Sequence, residues 1–288
     1  MRKYFKLMRV KHYIKNLLVL LPLIFSGQLF NASSLVQGVI AVLAFSLLSS
    51  AIYIFNDIRD VENDRLHPTK KDRPIANRSV SIRTAYILAI GLIICSAVLH
   101  FFTHAEQWYA WVFIVLYLLL NLAYSIKLKS VPIVDVAILV SGFIIRVFYG
   151  AAVGGIEMSR WLYLTVIAMS FYLGLGKRRN ELMRQDGNAS RSVLKFYNQS
   201  FLDKNMYMCL ALTVAFYSLW AVDPVTIARI QTENIVWTVP LVILICISYS
   251  LHVERDCDGD PVEVLMGNKL LLLLVGLLGI IWIALIYL

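Results

Sequence analysis

The sequence predicts an all-α, polytopic membrane protein with nine transmembrane helices. Three observations carry that prediction. Hydrophobic residues make up 59% of the 288-residue chain and the mean hydropathy is +0.72, more apolar sequence than a soluble core can use. Nine runs approach the ~20 mainly apolar residues that a span needs. Lys and Arg are concentrated in alternate loops, as the positive-inside rule expects of a chain threaded through a bilayer.

The nine runs are 17–35, 38–55, 84–102, 108–126, 132–153, 161–176, 207–223, 236–251 and 269–287. The first is the weakest, being broken by Pro22, Gly27 and Gln28. Its basic start resembles a signal peptide, but no small-x-small cleavage site follows, so it is retained as a span. One set of loops carries 24 of the 27 Lys and Arg; the other carries Arg160 and Arg229, and Arg146 lies inside a span. This places the N-terminus in the cytoplasm and the C-terminus outside. The basic face suits anionic membrane lipids and polyanionic substrates. No soluble domain is apparent, so residues 1–288 are read as a single transmembrane domain. No nucleic-acid partner is expected, and a homo-oligomer is left open. The four cysteines (Cys95, Cys209, Cys246 and Cys257) have no paired spacing and suggest neither disulfides nor zinc.

Taken in order, residues 1–16 read as a basic amphipathic helix on the inner leaflet, with Arg9, Lys11 and Lys15 available to lipid or substrate phosphates. The second apolar run leads directly into Asn56-Asp57-Ile-Arg-Asp60-Val-Glu-Asn-Asp64. If the helix continues past Phe55, Asp57, Asp60 and Asp64 fall on one stripe. Like charges so placed repel, and a bound divalent cation removes that cost; carboxylate oxygens suit Mg2+. Lys70, Lys71 and Arg73 follow on a turn marked by Pro68 and Pro74. Acids for a metal beside bases for phosphate predict a site for a phosphorylated substrate in the loop 56–83.

Further along, His100 and His104 have metal-ligand spacing but lack an obvious third ligand. Tyr124 to Lys129 (YSIKLK) ends span four, and Pro132 is expected at the first position of span five. That span carries Asp135 and Arg146 on one face, and a charge inside a membrane is a functional hypothesis by default. The loop 177–206 begins Lys177-Arg178-Arg179-Asn180-Glu181 and is long enough to be functional. In the loop 252–268, Asp260, Pro261 and Glu263 form a helix-capping pattern.

The run NDxxDxxxD from Asn56 to Asp64 resembles the signature of the UbiA-type membrane prenyltransferases. The resemblance implies a ring of nine helices around a membrane-open cavity, with aspartate motifs at its cytoplasmic mouth. Most such proteins carry a second acid pair after span six. Here that region reads KRRNEL from Lys177 to Leu182, with Gln185 where the second acid would fall. This departure is similar to the decaprenyl-phosphate phosphoribosyltransferase branch. The likeness extends to Lys15-Asn16, His67-Pro68-Thr69-Lys70, Arg73-Pro74-Ile75-Ala76, Tyr124-Ser125, Gly142-Phe143 with Arg146, and Gly259 to Leu265.

That branch implies attack of a polyprenyl phosphate on C1 of phosphoribosyl diphosphate, with loss of pyrophosphate, as a step toward arabinan precursors of the cell wall. Asp57, Asp60 and Asp64 are then the catalytic and Mg2+-holding acids, and Asn56, counted with the substrate-binding residues, orients an acid or donates a hydrogen bond. Lys15, Lys70, Arg73, Lys127, Lys177 and Arg178 are expected to hold phosphates. Tyr124, Arg146 and Glu181 complete the expected substrate site. Two other readings compete. An aromatic prenyltransferase would use a prenyl diphosphate donor, but commonly needs two acid motifs. A lipid-phosphate transporter would explain Arg146 and the basic face, but not the one-sided acids, and no inverted repeat is visible.

Overall fold

A computed structural model describes residues 2–103, 108–184, 192–254 and 260–288. His104, Gln185, Cys257 and Gly259 lie outside the described residues. Every regular element among the described residues is helical: α1 Arg2–Met8, α2 Leu21–Phe25, α3 Ala32–Arg59, α4 Val61–Leu66, α5 Ile82–Phe101, α6 Ala110–Ile126, α7 Val134–Gly154, α8 Arg160–Arg184, α9 Gln199–Val222, α10 Pro224–Ile230, α11 Val239–Val253, α12 Pro261–Gly267 and α13 Lys269–Tyr287, with short 3-10 segments between them.

Local chemistry fixes many of the helix starts. Asn31, Ser81, Asn198 and Asn268 each accept a hydrogen bond from a backbone N–H of the first turn of α3, α5, α9 and α13. Asp260 caps α12 in the same way, with Pro261 as its first residue, as the sequence predicts. Pro132 does not begin α7: it precedes Ile133, whose φ of 68° forms a tight turn in which the Val134 N–H donates to the Pro132 carbonyl at 2.8 Å.

Six described helical stretches are long and apolar enough to cross a membrane: α3, α5, α7, α9, Asn234–Val253 and α13. α6 is apolar with 17 residues. α8 has 25 residues, and its last turns carry Lys177, Arg178 and Arg179. The first predicted span is not one helix. A 3-10 segment Val10–Leu20 runs into the five-residue α2, and the chain then turns at Gly27 (φ 78°). Pro22 withholds a backbone donor, and the buried Asn16 is held sideways by Ser46 and Ser49 of α3. The predicted count of nine spans is therefore not reproduced helix for helix.

α5 and α13 turn large apolar side chains outward, among them Ile87, Ile94, Leu273 and Ile280. In water these would form an unfavourable patch; against lipid they are the solvated face. Between the helices, α3 and α7 sandwich the 3-10 segment so closely that Gly150 is required: a Cβ there would lie 1.9 Å from the Val19 carbonyl oxygen. Gly150→Ala is expected to cost about 3 kcal/mol or more through overpacking. A marked fall in the thermal aggregation midpoint in detergent would show it, and an unchanged midpoint would refute the close approach.

Candidate active site

α3 carries Asn56 and Asp57 on its last turns and stops at Arg59. Asp60 sits between helices (φ −96°, ψ 7°), and α4 restarts at Val61 with Asp64 near its end. This break alters the predicted single stripe of acids. Asp57 and Asp64 converge, both buried, on one guanidinium: Arg73 Nη1 lies 3.1 Å from Asp57 Oδ1 and 2.7 Å from Asp64 Oδ2. Asp60 is drawn aside to Lys129 Nζ at 2.5 Å, half-exposed. Among the described residues no group of three acidic, His or Cys side chains gathers at metal-binding distance.

A second guanidinium closes on the pair. Arg9 Nη2 meets Asp57 Oδ1 at 2.6 Å and lies over the Tyr53 ring at 4.8 Å. Arg9 is held there by a left-handed backbone (φ 52°) that ends α1, while the preceding Leu7 is fully buried among Ile54, Ile58, Ile75 and Val80. Burial pushes the Asp64 carboxyl above the usual carboxylate range, against the pull of Arg73. Two hard carboxylates converging on cationic groups are a donor set that fits a divalent cation such as Mg2+.

The other predicted residues divide. Lys70 is close enough to Asp64 to act on it electrostatically. Asn56 accepts a short hydrogen bond from Ser125 Oγ, which ties α3 to the end of α6. Lys15 Nζ reaches Asp260 at 2.7 Å, so the 3-10 segment near the N-terminus joins the α12 cap. Burial works to raise the Asp260 carboxyl, but Lys15 and Lys177 outweigh it and hold it down at about 2. In the same cluster, burial together with Lys15, Arg9 and Lys177 pushes the His12 imidazole down to about 4, with Asp260 opposing. Lys127 is exposed, whereas the 3-10 turn Leu128–Ser130 brings Lys129 inward.

Arg178 is turned toward the fold rather than toward an open phosphate site. It is fully buried, and its three nitrogens meet Asp135 (2.5 Å), Glu181 (2.5 Å) and Tyr124 Oη (3.0 Å). Tyr197 Oη donates to the other Asp135 oxygen at 2.6 Å. Asp135 and Arg146, predicted on one face of α7, therefore serve different partners. Arg146 donates to Asn16 Oδ1 (2.8 Å), Tyr117 Oη (3.1 Å) and the Gly142 carbonyl, and lies over the Phe45 ring. His100 is buried against Tyr149 Oη at 3.0 Å, so its ring is engaged within the bundle. The ion pair Arg179–Asp203 (2.6 Å) joins α8 to α9 and has no sequence signal, since the partners are 24 residues apart.

A membrane helical bundle with an acid pair, its guanidiniums and a basic rim at one end has counterparts among known proteins. Residues 19–270 match the model of the UbiA prenyltransferase family. The chain belongs to the UbiA prenyltransferase family. It is accordingly an integral membrane protein and an enzyme of that superfamily. The expected membership of the UbiA-type membrane prenyltransferases is thereby borne out. Three curated relatives are each named decaprenyl-phosphate phosphoribosyltransferase. The protein from Corynebacterium glutamicum is 34% identical, covering 92% of this chain and 81% of the relative. That from Mycolicibacterium smegmatis is 33% identical (93% and 87%), and that from Mycobacterium tuberculosis 31% identical (97% and 91%). Among solved structures, a UbiA homolog from Archaeoglobus fulgidus bound to GPP and Mg2+ superposes with a TM-score of 0.73 at 20% identity, covering 98% of this chain and 97% of that one. At that identity the likeness establishes the UbiA fold alone.

Proposed function

We propose that this protein transfers 5-phosphoribose from phosphoribosyl diphosphate to a polyprenyl phosphate, such as decaprenyl phosphate, and releases pyrophosphate. The observation that carries the reading is the shared name of curated relatives that align with more than nine-tenths of this chain. The site chemistry agrees. Where a second acid motif would serve a prenyl diphosphate, α8 presents Lys177 and the clasped Arg178.

In this reading an oxygen of the lipid phosphate bonds to C1 of the ribose as the bond from C1 to the diphosphate oxygen breaks. The electron pair leaves with pyrophosphate. The nucleophile is anionic at neutral pH, so no general base is required, and none of the predicted site residues is assigned that role. Asp57 and Asp64 are the residues that would hold Mg2+, joined by Asp60 if it leaves Lys129. When bound, the ion neutralises charge on the leaving diphosphate. Arg73, Lys70, Lys177, Lys15 and Lys127 supply positive charge for the phosphates, and bidentate guanidinium contacts suit them best. Asn56 positions the acid-bearing end of α3, while Tyr124 and Glu181 brace Arg178. Arg146 holds a buried cation between Asn16, Tyr117 and the Gly142 carbonyl. The apolar faces take the prenyl tail. In this reading the reaction runs at the cytoplasmic face, with the N-terminus inside and the C-terminus outside, within one transmembrane domain; the Lys and Arg bias of the loops supports that orientation.

Purified protein in detergent with Mg2+ tests the proposal. Pyrophosphate is expected with phosphoribosyl diphosphate plus a polyprenyl phosphate, and not with a prenyl diphosphate plus 4-hydroxybenzoate; chelation should abolish it. Release only with the second pair would assign an aromatic prenyltransferase instead, and release with neither would favour a transporter.

A further inference from the structure

Asp57 and Asp64 are almost sealed from solvent, with side-chain exposures of 3% and 5%; the two guanidiniums over them, Arg9 and Arg73, retain 24% and 26%. Asp57 Oδ1 receives both Arg9 Nη2 and Arg73 Nη1. The quartet of two carboxylates and two guanidiniums is neutral. A cation that takes Asp57 Oδ1 or Asp64 Oδ2 must displace the guanidinium bonded there. Once a divalent cation is on the carboxylates, the same four side chains plus the ion carry two positive charges, which attract an anionic diphosphate where the neutral quartet does not.

We propose that Arg9 and Arg73 are resident counter-cations, displaced from Asp57 and Asp64 by the divalent ion and redirected onto the diphosphate, so that metal and diphosphate bind as a coupled pair. The anchoring supports such a movement for Arg9 in particular. Leu7 pins α1 to α3, so the guanidinium can leave Asp57 without losing the N-terminal segment. The Tyr53 face already lies under the guanidinium, so that contact can hold the cation as it leaves Asp57. Arg9 becomes a substrate-positioning residue, although it is 48 residues from its acid and outside the acid motif. The proposal rests on the reading of Asp57 and Asp64 as the metal's carboxylates and of a diphosphate as its companion.

The experiment uses the full chain in detergent, with Mn2+ as the metal and radiolabelled inorganic pyrophosphate as the anion. Free Mn2+ is followed by electron paramagnetic resonance. Arg9→Gln removes a competing cation, so it is expected to bind Mn2+ alone at least ~3-fold tighter than the unaltered protein, while retaining labelled pyrophosphate at saturating Mn2+ at least ~10-fold more weakly. Asp57→Asn should weaken both. The opposite signs are the signature, because a merely structural role for Arg9 would weaken both or neither. Unchanged or weaker Mn2+ binding in Arg9→Gln overturns the proposal. If that variant is not monodisperse, Arg73→Gln gives the same pair of signs at the second guanidinium. Either donor class yields pyrophosphate, so this result is independent of which donor the enzyme uses.

Discussion

Asp64→Asn is expected to reduce Mg2+-dependent turnover by at least ~10³-fold while leaving the folded protein intact. Asp64 is one of two buried carboxylates that converge on Arg73, and the amide keeps its size while removing the charge that a metal requires. Loss of a preorganised electrostatic group at a developing charge typically costs 10²–10³, and loss of a metal ligand adds to that. Folding should survive, because burial already penalises the charge on this carboxyl and Arg73 keeps Asp57 as a partner. Pyrophosphate release together with the thermal midpoint in detergent separates the two effects. Asp60→Asn is expected to fail in the same assay, and full activity in either variant would remove that acid from the metal site.

Arg178→Ala is expected to cost stability, in contrast, with little folded protein recovered. Arg178 and Asp135 are both fully buried at 2.5 Å, and Glu181, Tyr124 and Tyr197 complete the cluster. Removing one partner of a buried pair leaves an uncompensated charge, at about 3–5 kcal/mol. Arg178→Lys should not rescue it, since an ammonium cannot meet three differently placed acceptors as a planar fork does. Folded, stable protein with a raised substrate KM would contradict this and return Arg178 to the phosphates.

The contrast between these variants shows what could be read from the sequence. The convergence of Asp57 and Asp64 was legible because like charges at close spacing stand out within a turn or two of helix, whereas the turn of Asp60 toward Lys129 was not. Span composition was equally legible for α3, α5 and α13. The first apolar run misled because composition does not report backbone: Pro22, Gly27 and the buried Asn16 break it into a 3-10 segment and a single short helix. The partners of the acids were largely illegible. Arg9 reaches Asp57 only because a left-handed residue turns the chain, and Lys129 rather than Lys127 faces inward because of one 3-10 turn. Arg178 looks from sequence like another phosphate ligand. Its three engagements come from residues 54, 43 and 3 positions away, and only the fold brings them together.

The most direct test of the central claim is the chemical identity of the lipid product. Phosphoribosyl diphosphate labelled in both the ribose and the 5-phosphate would be incubated with a polyprenyl phosphate, Mg2+ and the protein, and the organic-soluble fraction weighed by mass spectrometry. Transfer predicts a lipid heavier by one phosphoribosyl unit, with both labels retained. If both labels stay in the aqueous phase while pyrophosphate forms from a prenyl diphosphate and an aromatic acceptor, the phosphoribosyl assignment is wrong and the acid pair serves prenyl transfer.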